Sequence, residues 1–226
     1  MGFKLDKIIL WGRSVTEYIG MFGLTPNELD LAILDCAGGP ASFNAQMNSQ
    51  GCKVISCDPI YQFSADEIAE RIQATYQTVI NGVKANSTNY VWRNIESPDQ
   101  MGEIRTRAMS QFLEDFPLGL QQGRYVVDEL PSLSFKDKQF DLALCSHLLF
   151  TYSDCLSLEF HLNSIEELCR VAKEVRLFPL LNVSGEQSSL LLPVLQELQQ
   201  NGYTAEIKQV DYEFQKGGNK LLKVTR

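Results

Sequence analysis

The sequence predicts an α/β fold built on one open, mostly parallel sheet. Three observations carry that prediction. Leu31–Leu34 and Lys53–Cys57 are short apolar runs, closed by Asp35 and Asp58, with a glycine turn and a short helical stretch between them; this is the pattern of a βαβ unit with buried parallel strands. Strand-like and helix-like segments then alternate along the rest of the chain. The last two strand signals, Thr204–Phe214 and Lys220–Thr225, flank Lys216-Gly217-Gly218-Asn219, which reads as the turn of an antiparallel hairpin. With 226 residues, 44% of them hydrophobic and 21% charged, the chain 1–226 is expected to form a single domain with a full core.

In the first unit Asp35 ends the strand, and Gly38-Gly39 let the backbone turn tightly and approach a ligand. Pro40 suits the first turn of the following helix, where a missing N–H has no helical partner. Asp58 lies 23 residues after Asp35, close to the roughly 20 at which an acid in a βαβ unit binds ribose hydroxyls. The turn is neither a G-x-G-x-x-G string nor a P-loop followed by Gly-Lys-Ser/Thr. The expected ligand is therefore a nucleoside without a phosphate chain.

Asp35-Cys36-Ala37-Gly38-Gly39-Pro40-Ala41 resembles motif I of the class I S-adenosylmethionine-dependent methyltransferases, Asp/Glu-x-Gly-x-Gly-x-Gly. Ala37 and Ala41 replace the first and third glycines, and Gly39 stands in register. Because alanine resists positive φ, a less sharp turn is expected. A second segment, Asp128-Glu129-Leu130-Pro131 through Phe140-Asp141-Leu142, resembles the family's Gly-Asp-x-x-x-Leu-Pro-Phe-x-x-x-x-Phe-Asp-Leu without gaps, with Ser134 in place of a proline. The resemblance is to the small-molecule, ubiquinone/menaquinone-methyltransferase-like branch and covers nearly the whole chain outside 86–122. It implies a Rossmann-like seven-stranded sheet of order 3-2-1-4-5-7-6, helices on both faces, and S-adenosylmethionine as cofactor. It implies cofactor contacts from Asp35, Cys36, Ala37, Gly38, Gly39, Asp58, Pro59, Glu129, Leu130 and Ser146, with Glu129 on the adenine amino group and Leu130 offering a backbone N–H. The family's usual Pro-Gly-Gly before the fifth strand is missing here.

The remaining elements follow in order. Ser14-x-x-Glu17 is a capping box that opens a helix ending at Gly23, and Thr25–Glu28 repeats the signature. In the resembled family such a helix closes over the methionine end of the cofactor, so Tyr18 and Phe22 become candidate substrate contacts; an ordinary packing helix fits the pattern equally. Ser64–Glu67 caps a helix to about Lys84, and Ser97-Pro98 opens another to about Phe116. The second lies in 86–122, an insertion the core fold does not need, which reads as a candidate substrate cover or as a helix packed on the sheet edge. Its Tyr90, Trp92, Phe112 and Phe116 offer an apolar wall, and Arg93, Arg105 and Arg107 offer charge to an acidic acceptor. Arg124–Val127 and Asp141–Cys145 are the third and fourth strands, Leu156–Val171 a helix, and Val175–Leu181 the fifth strand. Ser184–Gln187 is expected to cap the last helix, which ends at Asn201-Gly202.

Methyl transfer needs alignment of donor and acceptor, and a base only where the acceptor loses a proton. His147, just after the fourth strand, is the candidate base, with Tyr152 and Asp154 as alternatives and Tyr152 also a candidate substrate contact. A single histidine in an apolar segment is more often structural, and His161 reads that way. The six cysteines make no C-x-x-C pair and no zinc spacing, so they read as small reduced core residues and no metal is expected.

A net charge of −8 and a pI of about 4.9 would repel a nucleic acid in the absence of a basic run. No apolar run is long enough to span a membrane, no signal pattern opens the chain, and Asp6 spoils a myristoylation start at Met1-Gly2. A cytoplasmic enzyme acting on a small molecule is expected, with its oligomeric state open. A protein or RNA methyltransferase is one alternative, and a binding protein that keeps the fold without turnover is the other.

Overall fold

The computed structural model describes residues 9–226; the reading of Met1, Gly2 and Asp6 lies outside them. The strands are β1 (Ile33–Cys36), β2 (Val54–Cys57), β3 (Tyr125–Val126), β4 (Phe140–Ser146), β5 (Ala172–Phe178), β6 (Thr204–Gln209) and β7 (Lys220–Thr225). They form one seven-stranded sheet of order β3-β2-β1-β4-β5-β7-β6, as expected. The pairs among β1 to β5 are parallel, and β7 runs antiparallel to both β5 and β6. All four residues of β1 are buried, as a central strand covered on both faces requires. The edge strand β6 is mostly exposed and polar.

The helices are α1 (Val15–Phe22), α2 (Phe43–Ser49), α3 (Ala65–Ala85), α4 (Pro98–Gln121), α5 (Leu158–Val171) and α6 (Leu191–Gln200). α1 and α2 pack Tyr18, Met21, Phe43 and Met47 against one sheet face around Ile33, Leu142 and Leu144. α5 and α6 cover the other face with Ile165, Leu168, Val194 and Leu198. α3 and α4 pair along Ile68, Ile72, Met109 and Phe112, and farther along through Val79, Ile80, Val83 and Met101. Among the described residues no helix is long and apolar enough to cross a membrane.

The capping boxes at Ser14, Thr25 and Ser64 are all formed, with the N3 glutamate bonded back to the cap. Several boundaries differ from expectation. β1 runs past Asp35 to Cys36, because Asp35 pairs in register with Ser56 and Leu144 on its two neighbours. Pro40 precedes α2, which starts at Phe43. α4 continues past Phe116 to Gln121 with Pro117 inside it. Ser184–Gln187 does not cap the last helix: Gly185 takes φ +84 and Gly185 N donates to Asn182 O, closing a turn, and Ser188 Oγ accepts from Leu190 N ahead of α6.

Candidate functional site

The C-terminal ends of β1 to β4 open on one cavity of ≈ 630 Å³, within the roughly 300–1,000 Å³ of small-molecule sites. This is the point where chain connections leave β1 and β4 in opposite directions, the usual ligand crevice of an open α/β sheet. Ala37–Gly39 after β1, Asp58 and Pro59 after β2, Glu129 and Leu130 after β3, and Ser146 and His147 after β4 all line it, together with Tyr18 and Tyr152.

The turn after β1 corrects one expectation. Ala37 adopts φ +55 and Gly39 φ +54, so the turn is as sharp as a glycine-rich one. Holding alanine there costs about 1–2 kcal/mol, which buried contacts offset. A Cβ on Gly38 would collide with Asp35 Oδ2, so this position has room only for glycine. Asp35 itself is not on the cavity wall. It is 1% exposed and accepts from Tyr18 Oη and Ser56 Oγ, each at 2.9 Å. Burial pushes its carboxyl up to about 7, against the two hydrogen bonds and with help from Asp58. It ties α1, β1 and β2 together behind the turn.

Asp58 is the acid at the mouth. Its Oδ2 accepts from Gly39 N and its Oδ1 from Ile60 N, both at 2.9 Å. Each oxygen keeps a lone pair for a ligand hydroxyl. A Cβ on Gly39 would stand 4.0 Å from Asp58 Oδ2. Burial raises the Asp58 carboxyl, with a smaller contribution from Glu129. Asp128 holds the next loop: its Oδ2 accepts from both Ser134 N and Ser134 Oγ at 2.7 Å. A proline at 134, with neither donor, would lose both bonds.

His147 stands at φ +54 with its backbone N–H on Phe178 O at 2.7 Å and Nδ1 within 2.7 Å of Ser146 Oγ. Burial, then the charges of Arg13 and Arg105, hold its imidazole well below the ordinary pKa, so it is neutral. A histidine kept in the left-handed region beside a cavity is a strained residue of the kind functional sites retain. Tyr18 lines the wall with its ring stacked on Phe43 at 4.4 Å and its hydroxyl committed to Asp35. Tyr152 Oη accepts from Ile9 N at 3.1 Å.

Two candidate substrate residues are not at the cavity. Phe22 is fully buried in the core against Tyr18 and Phe178, because α1 turns that face onto the sheet. Trp92 donates from Nε1 to Ser87 O at 2.8 Å and packs behind Tyr90 and Phe214. The insertion nevertheless reaches the site. Tyr90, Met101 and Arg105 line the cavity, whereas Phe112 and Phe116 bury under the sheet edge against Tyr61 and Tyr125. Arg107 lines a different hollow and Arg93 is exposed. The N-terminal stretch Ile9–Trp11, Arg13 and Tyr212 also line the cavity, and the sequence reading missed them. An apolar run at 9–11 was their one signal, and such runs mark core as readily as cavity.

Cys36, Cys57 and Cys145 are buried at the strand ends and unpaired. Burial pushes the Cys145 thiol up, and a hydrogen bond to Cys57 together with burial does so for Cys36; neither is a ready nucleophile. His161 is buried in α5 with Nδ1 on Ser157 O at 2.8 Å, a structural histidine. Among the described residues no group of three or more His, Cys, Asp or Glu is gathered to hold a metal ion.

No protein-family model matches the chain. A relative from Methanocaldococcus jannaschii, described as the uncharacterized protein MJ0045, is 36% identical over 226 residues and covers 99% of this chain and 98% of its own. Among solved structures, the magnesium protoporphyrin IX methyltransferase ChlM of Synechocystis PCC 6803 with bound SAM is 14% identical, with a TM-score of 0.47, covering 94% of this chain and 77% of its own. A SAM dependent methyltransferase from Aquifex aeolicus is 15% identical, with a TM-score of 0.42, covering 93% and 87%. At TM-scores below 0.5 these likenesses carry no argument about this chain.

Proposed function

The chain belongs to one family with the uncharacterized protein MJ0045 of Methanocaldococcus jannaschii, and from its own site geometry we propose that it is an S-adenosylmethionine-dependent methyltransferase acting on a small molecule. The carrying observation is the convergence of four strand ends on one cavity, with the Asp58 carboxylate seated on Gly39 N of the turn and Glu129 beside it. Carboxylates on the nucleoside side of the wall disfavour a phosphate chain and suit ribose hydroxyls, an adenine amino group and a cationic sulfonium.

When bound, S-adenosylmethionine supplies an activated methyl group: an acceptor lone pair forms the new bond to carbon, and the C–S electron pair stays on sulfur. The chain's residues hold and align. Asp58 takes the ribose hydroxyls, Glu129 and Leu130 the adenine edge, and the Ala37–Gly39 turn lets backbone approach. His147, neutral at the end of β4, takes a proton from an acceptor that must lose one. Tyr90, Met101 and Phe214 give the acceptor an apolar wall. The Asp128–Leu142 segment favours the ubiquinone/menaquinone-methyltransferase-like branch. The positive φ of Ala37 gives the turn the close backbone approach that cofactor binding needs. Six free cysteines, four of them buried, suit a reducing cytoplasm.

Calorimetric titration with S-adenosylhomocysteine tests the cofactor, and transfer of labelled methyl to small-molecule fractions of a lysate tests the activity. Failure of the purified protein to bind the cofactor product or its parent would sink the proposal.

A further inference from the structure

Two arginines line the cavity beside one buried carboxylate, Arg105 buried and Arg13 half-buried. Arg105, 1% exposed, is ion-paired to Glu17. Both oxygens of Glu17 have partners: Oε1 accepts from Tyr212 Oη, and Oε2 from Ser14 N, Ser14 Oγ and Arg105. Glu17 attracts Arg13 from farther off without a hydrogen bond to it. Arg13 donates from Nη1 to Trp11 O at 3.2 Å, its buried Nε has no partner, and among the described residues no carboxylate lies within ion-pair distance of it. The buried Nε of Arg105 is also without a partner. His147 is neutral and adds no charge. Among the described residues this end of the cavity therefore carries one cation in excess, a half-buried guanidinium whose buried Nε has no partner, and a ligand's counter-charge would stabilise it. Burial and Arg105 together push the Arg13 guanidinium down to about 10, a sign of the same imbalance.

S-adenosylmethionine does not neutralise this excess. It brings one carboxylate, one ammonium and one sulfonium, a net positive charge. With the cofactor's carboxylate offset by its own ammonium, an anionic acceptor is the group that supplies the missing counter-charge. The neighbouring wall is apolar, from Tyr90, Met101 and Phe214.

We propose that the methyl acceptor is an amphipathic carboxylate, its anionic group seated on Arg13 with Arg105 behind it and its apolar body against Tyr90, Met101 and Phe214. The identity of this ligand as the acceptor rests on the methyltransferase reading; the anion seat does not. Guanidinium presents paired donors to a carboxylate in a planar fork, so charge and geometry agree.

The test uses octanoate and octanol as probes, titrated into the wild-type protein and into R13Q, with and without saturating S-adenosylhomocysteine. Wild type is expected to bind octanoate about tenfold or more tighter than octanol, the size of one charge-assisted hydrogen bond. R13Q is expected to lose that preference, and R13K, which keeps the charge, to retain part of it and to guard against a folding defect in R13Q. If neither probe binds, if both bind wild type equally, or if R13Q still prefers octanoate, the anion seat is overturned. If R13Q weakens S-adenosylhomocysteine but not 5′-methylthioadenosine, which lacks the carboxylate, and leaves octanoate unchanged, the seat belongs to the cofactor and the acceptor assignment falls. If wild type binds no S-adenosylhomocysteine, the methyltransferase reading falls, while the octanoate comparison in the protein alone still decides the anion seat.

Discussion

Glu17 of α1 and Arg105 of α4 form a buried ion pair across 88 residues of sequence. Glu17 serves three tasks at once: it closes the capping box on Ser14, accepts from Tyr212 Oη, and neutralises Arg105. Burial alone would raise its carboxyl, but Arg105, Arg13 and the Ser14 N–H together outweigh burial and leave it below the usual range. Removing one partner of such a pair leaves an uncompensated buried charge. E17Q is therefore expected to lower stability by about 3–5 kcal/mol, and a double E17L/R105M replacement to recover most of the loss. Urea unfolding of the single and double variants checks this; a single-variant loss below about 1 kcal/mol, as for exposed pairs, would contradict it.

Asp58 is expected to dominate cofactor affinity. D58A should weaken S-adenosylhomocysteine by about 2–3 kcal/mol, as for hydrogen bonds to a charged group. E129A should cost less, because Glu129 is exposed and adenine also meets backbone and apolar side chains. Calorimetry on folded variants reads both, and equal losses would reverse the assignment of roles.

His147 separates strain from catalysis. H147N keeps a residue that tolerates the left-handed region, so the fold should hold with stability equal to wild type or higher. If the acceptor loses a proton to His147, kcat should fall about 10²–10⁴-fold with cofactor affinity unchanged. Because the imidazole is already neutral well below its ordinary pKa, the wild-type rate should stay flat between about pH 6 and 8. A rate that drops through that window would assign the proton to another group.

Asp35 makes stability pH-dependent. Its folded pKa, about 7, lies above the ordinary aspartate value of 3.8, so the protonated carboxyl favours the fold. That contribution is complete below about pH 4 and is lost as pH rises through about 7. His147 acts with the opposite sign: buried neutral, it costs stability as pH falls below its unfolded value near 6.5. D35N should remove the loss on raising pH from 4 to 7, leaving the His147 trend exposed. Denaturation midpoints across that range, in wild type and D35N, decide it; parallel profiles would show that Asp35 does not titrate there.

The strand-end wall of the cavity was legible because its residues follow strand ends directly. Once apolar runs and turns assign β1 to β4, topology carries Gly39, Asp58, Glu129 and His147 to one crevice. The capping boxes were legible for the same reason, since their partners lie three residues apart. The opposite wall was not. Phe22 and Trp92 have the composition of pocket residues, but which helix face turns to the core is settled by packing against β5 and Phe214.

By itself the sequence determined the alternation of strands and helices, most helix starts and the strand-end residues, set by periodicity, capping and short-range turn chemistry; the strand order came with the family resemblance. Only the tertiary structure decided that Ala37 takes a left-handed backbone, that Asp35 stands behind the wall, and that Glu17 is shared between Arg105 and Tyr212, the latter 195 residues away. A left-handed alanine, a buried carboxylate and a buried guanidinium are each unfavourable alone. They persist where distant segments supply the hydrogen bonds, the burial and the counter-charge, and none of those is written in the neighbouring sequence.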